Sequence, residues 1–303
     1  MSNYKDLKNN PRLLEIYQVR IKIIKLIREF FWSLNFCETD TPIAVRLPGQ
    51  EPYLSPIPVL FNHPNNDRAK LYLQTSPEFA MKKLLATGFG KIFQICKCFR
   101  DYEDWGGLHN TEFTMIEWYR CAGELGNIMD DCEKLFKFVG EKTGLSEVIY
   151  NGQKIDINSN WDRISMRELW QKYVGINLDD YLKRDALKEL LVERKYNVDS
   201  VDSYEDMFFK IFLNDIEPKL GKDRPIFVYD YPAQMCSLSE LCKQDSRYAQ
   251  RFELYISGVE LANAFGELID SAEQFDHLEQ DKRKREELKK EIYDIDSEFI
   301  QSL

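Results

Sequence analysis

A chain of 303 residues with 44% hydrophobic content is long enough for one large globular domain with a sizeable core or two smaller ones, and one large domain with an insertion is expected. The formal net charge of −10 speaks against a body that wraps nucleic acid by neutralising phosphates, so tRNA is not an expected partner. Seven cysteines without a CxxC pair, no signal-like apolar segment after Met1 and no membrane-spanning apolar run predict reduced thiols in a cytoplasmic protein, and His63, His109 and His277 lack the spacing of a zinc site.

From Pro11, the residues Leu13, Tyr17, Ile21, Ile24, Ile27, Phe31 and Leu34 recur at helical spacing and predict an amphipathic helix of about six turns. A short strand-like run, Asn35 to Ile43, follows and meets Pro42, which cannot donate to a ladder. Pro48 to Pro58 is proline-rich and expected to be irregular, and Asn62 to Lys70 reads as a polar loop. Leu71 to Gln74 then forms a strand ending in Thr75-Ser76-Pro77-Glu78, with Ser76 at the start of a helix as its cap, Pro77 in the first turn, and Gly88 past its end.

The run KIFQICKCFRDYEDWGGLHNTEFTMIEWY, Lys91 to Tyr119, predicts two antiparallel strands around a polar loop. Phe93, Ile95 and Phe99 share one side of the first limb; Phe113, Met115 and Tyr119 share one side of the second. Arg100 offers a planar charged fork suited to phosphate oxygens, and His109-Asn110 adds hydrogen-bond donors. Glu103, Glu112 and Glu117 need another task, such as reading an amine or holding a metal bridged to phosphates.

These residues resemble motif 2 of the class II aminoacyl-tRNA synthetases, in the form found in the lysyl branch. The long helix, short strand and Thr41-Pro42 are similar to motif 1, which implies a homodimer interface at the N-terminal helix. Motif 1 begins almost at the N-terminus, leaving no room for an anticodon-binding barrel, and this points to the stand-alone elongation factor P lysine ligases. The resemblance implies an α+β fold, an antiparallel sheet flanked by helices, over 1–303. It also implies that Arg100, Glu103, His109 and Asn110 contact ATP and that Ser76, Pro77, Glu78 and Tyr119 face the amino-acid substrate.

Further along, Gly123 to Gly140 reads as a helix and Tyr150-Asn151-Gly152-Gln153 as a tight hairpin turn. About 161–221 is helical and charged, with Ser165 and Glu168 spaced as a capping box; it reads as a helical insertion, either solvated or serving as a docking surface. Pro225 to Asp230 is a core strand. Tyr231-Pro232-Ala233 followed by Ser237-Leu238 is similar to the family's pocket wall, from which Gln234, Met235 and Cys236 depart. In Arg251 to Leu268 a mostly apolar strand-like segment carries Glu260, Asn263 and Glu267, and buried carboxylates there would each need a cation or a donor. The resemblance assigns Glu260, with Leu261, to ATP and Mg2+, Asn263 to the neighbourhood of the amino acid, and Glu267 to the lysine side-chain amine. Asp270 to about Ile292 is a charged helix expected to face solvent.

A glycine-rich motif 3, expected after Glu298-Phe299-Ile300, does not occur before Leu303. The resemblance nevertheless implies a two-step ATP-dependent ligase: lysine or β-lysine is activated as an aminoacyl adenylate, then transferred to a lysine of elongation factor P, whose shape is similar to a tRNA. Two alternatives stay open, a lysyl-tRNA synthetase catalytic fragment and an inactive lysine-binding paralogue that has lost adenylation with motif 3.

Overall fold

The computed structural model describes residues 4–65, 67–103, 107–236 and 238–303. In chain order the elements are α1 (Tyr4–Asn9), α2 (Pro11–Ser33), β1 (Cys37–Glu38), β2 (Ala44–Val45), β3 (Pro58–Asn62), β4 (Arg68–Leu73), α3 (Glu78–Leu85), β5 (Lys91–Phe99) and β6 (Glu112–Arg120). There follow α4 (Leu125–Thr143), β7 (Glu147–Tyr150), β8 (Gln153–Asp156), β9 (Asp162–Ser165), α5 (Met166–Tyr173), α6 (Arg184–Glu193), α7 (Tyr204–Ile211) and β10 (Ile226–Pro232). The last elements are β11 (Tyr248–Ile256), β12 (Val259–Phe265), α8 (Ser271–Glu287) and α9 (Ser297–Ser302). Two compact units result, Met1–Ala122 with Leu268–Leu303, and Gly123–Glu267.

The first unit is built on the β1-β5-β6 sheet. Asn10 caps α2 by accepting from the amides of Arg12 and Leu13, and Pro11 begins the helix without an orphan donor. Of the predicted apolar face only Phe31 is fully buried; the buried stripe is Leu26, Phe30 and Phe31, whereas Tyr17 and Ile21 are about half exposed. The full burial is in the last turns, where Phe31 stacks on Phe93 with centroids 5.0 Å apart and meets Trp118 at 5.2 Å. Burying such a side chain contributes about 1.5–3 kcal/mol.

The register bears out the alternation read in each limb of the hairpin and adds how the two limbs face each other. Phe93 lies opposite Trp118 and Ile95 opposite Ile116, while Ile92 faces Tyr119, Cys96 faces Met115 and Cys98 faces Phe113. The two predicted apolar sets therefore lie on opposite faces of the sheet. Both faces are covered, one by α2 and the other by Met81, Leu84 and Leu85 of α3 packed on Ile92 and Tyr119. Asn62 and Arg68, expected in a loop, are the last pair of a β3-β4 hairpin. Ser76 is not the cap of α3: Pro77 occupies that position, with no side-chain cap, and its carbonyl accepts from the Met81 amide.

The charged helix α8 ends at Glu287, because Lys289 takes a positive φ of 56° and turns the chain. Nor is it wholly solvent-facing. Arg285 is 1% exposed and donates to the carbonyls of Glu51, Leu54 and Glu291, lying 4.6 Å from the Tyr293 ring centroid. An irregular proline-rich segment leaves carbonyls unpaired by any ladder, and one guanidinium satisfies several of them.

In the second unit β12-β11-β10-β9 form a sheet in which β9 runs parallel to β10. Asp162 to Ser165, assigned from sequence to the helical insertion, is thus sheet. The Asn151-Gly152 turn has positive φ at both residues and closes the β7-β8 hairpin as expected. Ser165 and Glu168 form the predicted capping box, and Ser203 with Asp206 forms a second one. The insertion is itself a core: Trp170, Leu187, Leu191 and Phe208 are fully buried with Val228 and Tyr231 of β10. Ser237, named with Leu238 in the sequence reading, lies outside the described residues.

Candidate active site

In the first unit the end of β5 and the start of β6 fix Arg100, whose amide donates to Thr111 O at 2.9 Å. Its guanidinium carbon lies 5.1 Å from the Phe113 ring centroid, and Nε is buried with no hydrogen-bond partner among the described residues. A buried unpaired donor on a permanent cation is costly, so the arrangement suits an anionic ligand. Further along the loop, His109 Nδ1 is 3.2 Å from Glu103 Oε2, and Asn110 is exposed. The loop residues 104–106 lie outside the described set. Tyr119 donates to Glu117 at 2.6 Å, and the helical turn of α3 pairs Glu78 with the buried Lys82 at 2.7 Å. Ser76 borders a pocket shared with Gly49, Glu51, Gln74, Thr75 and Phe79, and the neighbouring Pro77 is buried.

Glu51 was not legible as a site residue. Burial pushes its carboxyl above the ordinary glutamate range; Glu78 adds to the rise, and Arg100 and Arg285 oppose it. On the hairpin below, Cys96 and Cys98 share a face with sulfurs 3.8 Å apart, as their spacing predicts. The hydrogen bond between the two sulfurs lowers the Cys96 thiol and, with burial, raises that of Cys98. None of the seven cysteines is disulfide-bonded.

The second unit corrects the premise that its carboxylates are buried. β12 is the end strand of the sheet, so Glu260, Leu261 and Asn263 are exposed and Glu267 is half-buried. A carboxylate that is buried in the same sheet is Glu253 on β11, 3% exposed and missed in the sequence. Arg251 pairs with it at 2.6 Å, and the hydroxyls of Tyr231 and Tyr255 donate to it. Burial, reinforced by Glu253, raises both tyrosines far above the usual phenol range. Arg251 also donates to Asn263 Oδ1 at 3.3 Å, so this network positions an exposed candidate residue.

Among the described residues no cluster of three or more His, Cys, Asp or Glu side chains could cage a metal, and no helix is long and apolar enough to cross a membrane. One exposed carboxylate such as Glu260 still fits Mg2+, which is commonly held by one or two carboxylates together with substrate phosphates.

The family model of class II tRNA synthetases (D, K and N) matches residues 1–303. The elongation factor P--(R)-beta-lysine ligase of Hamiltonella defensa subsp. Acyrthosiphon pisum (strain 5AT) is 36% identical over 291 residues, 94% of this chain and 83% of that protein. The ligase of the same name from Edwardsiella ictaluri (strain 93-146) is 38% identical over 272 residues, 88% of this chain and 77% of the relative. That of Haemophilus influenzae (strain ATCC 51907 / DSM 11121 / KW20 / Rd) is 34% identical over 301 residues, 98% and 85% respectively.

Proposed function

The chain belongs to the class II tRNA synthetase family of the D, K and N type, and on that premise we propose that it is an ATP-dependent ligase for elongation factor P. It activates lysine or β-lysine and passes the aminoacyl group to a lysine of that protein. The observation that carries the reading is Arg100, a half-buried residue whose Nε is buried and has no hydrogen-bond partner among the described residues, held on a hairpin within a motif 2 pattern. Both units belong to one catalytic domain, with the insertion at about 161–221 as part of it.

In the first step the substrate carboxylate attacks the ATP α-phosphorus in line; the bond to the bridging oxygen breaks, and pyrophosphate departs. Arg100 stabilises charge developing on the transferred phosphoryl group, while Glu103, His109 and Asn110 orient the nucleotide. Glu260, beside Leu261, holds Mg2+, which offsets phosphate charge when bound. Ser76, Pro77, Glu78, Tyr119 and Asn263 place the amino acid, and Glu267 reads its side-chain ammonium. In the second step an acceptor lysine amine attacks the adenylate carbonyl, and AMP leaves.

The homodimer reading is supported by Ile16, Tyr17, Val19 and Ile21, all 43–54% exposed along α2. A cytoplasmic setting suits seven cysteines without disulfides. Lysine- or β-lysine-dependent ATP–pyrophosphate exchange, followed by transfer of labelled substrate to purified elongation factor P, tests the reading. Exchange and transfer are expected with wild type and lost in Arg100→Ala. A folded wild type that labels no acceptor and exchanges no pyrophosphate would overturn it.

A further inference from the structure

The proline-rich loop before β3 places a carboxylate where no periodicity would reveal it. Glu51 Oε2 is shut off from solvent and has no hydrogen-bond partner among the described residues. It lies against Gly49: a Cβ built there would fall 2.2 Å from Glu51 Oε2, so the carboxylate occupies the space a side chain would fill. Gln74 Oε1 in the same pocket is likewise buried without a partner. The amide orientation is fixed, because Gln74 Nε2 donates to Lys97 O at 2.9 Å.

The loop is pinned. Arg285 donates to the carbonyls of Glu51 and Leu54, Gln50 donates to those of Tyr293 and Asp294, and the Asp101 amide donates to Ser55 O at 2.7 Å. Glu51 is therefore not a side chain awaiting a different local partner. Glu78 carries Lys82 as its counter-ion, whereas Glu51 Oε2 has no hydrogen-bond partner among the described residues.

We propose that Glu51 and Gln74 bind the ammonium on the carboxyl side of the substrate, the amine at the α or β carbon, and that Glu51 sets the preference for substrates carrying it. This rests on the lysine-ligase reading. Two buried acceptors lacking donors match a –NH3+ group, which brings three donors and one positive charge. Two neighbouring carboxylates, one already paired with Lys82, offer too little charge and too few oxygens for a dehydrated divalent ion. The raised Glu51 carboxyl fits the same picture, since an entering ammonium restores its ionised form.

The test compares L-lysine, 3,6-diaminohexanoate and 6-aminohexanoate, which lacks the amine in question, by calorimetry on the full chain. Wild type is expected to bind a diamino acid about ten- to a hundred-fold more tightly than 6-aminohexanoate. Glu51→Gln is expected to remove most of that ratio while leaving 6-aminohexanoate and Mg-ATP affinities within about two-fold. Gly49→Ala, which displaces the carboxylate, should act in the same direction and add nothing in the Glu51→Gln background. The proposal is overturned if wild type does not discriminate, if Glu51→Gln weakens all three ligands alike, or if only Mg-ATP binding changes, which would make Glu51 a partner of Arg100. Pyrophosphate exchange on the same preparations separates the two readings. Glu51-dependent amine binding without exchange would sink the ligase function alone, and exchange with Glu51-independent selectivity would sink this proposal alone.

Discussion

Glu51 and Glu253, one in each unit, both hold carboxylate oxygen away from solvent, Glu51 through Oε2 and Glu253 as a whole residue, and their surroundings could hardly differ more. Glu253 sits on a central strand with a guanidinium and two phenols aimed at it. Glu51 sits in an irregular loop held by its backbone, with a carboxylate oxygen that meets no donor among the described residues. A buried charge with all its partners in the chain is architecture, because removing one partner strands the other. A buried carboxylate oxygen that meets no hydrogen-bond donor among the described residues weakens the fold and is explained by a ligand.

The largest effect that could break this comparison belongs to Glu253→Ala. It leaves Arg251 buried without its carboxylate and should cost about 3–5 kcal/mol, read in a urea melt with unchanged slope. An unaltered midpoint with lost activity would move Glu253 into the reacting site. Arg100→Ala should lower pyrophosphate exchange about 10²- to 10³-fold while changing stability little. Arg285→Met frees three carbonyls, with a cost of about 1–3 kcal/mol for each that finds no water, and should raise the KM for the amino acid more than that for ATP by loosening the Glu51 loop.

The smallest effect has the opposite sign. The Glu51 carboxyl is raised in the folded chain, so ionising it costs stability as pH climbs from the ordinary glutamate value through the folded one. Glu51→Gln should therefore melt a few degrees higher than wild type near neutral pH, by about 2–4 °C, with the gap closing in acid. A gap that widens in acid would contradict the assignment.

Much of this was legible in the chain because it was local. The α2 helix, the motif 2 hairpin, the Asn151-Gly152 turn and the Ser165 capping box are each written within a few residues. What was not legible depends on contacts far apart in sequence. Sheet order decides that Glu260 and Asn263 are exposed on an end strand while Glu253, ten residues before Asn263, is buried. Arg285 looked like one more charge in a basic run because two of its acceptors, the carbonyls of Glu51 and Leu54, lie more than 230 residues earlier. Glu51 was hidden by the absence of periodicity in its loop, and a carboxylate two residues after a glycine and next to Pro52 was the only local hint.

The central claim, that an unpartnered buried carboxylate marks the substrate site, is tested most directly by the melting temperatures of wild type and Glu51→Gln near neutral pH, with and without saturating lysine or β-lysine. The account predicts that the variant melts higher without ligand, and that the diamino acid raises wild type much more than the variant. A variant that melts lower than wild type and responds to the ligand by the same amount would contradict it.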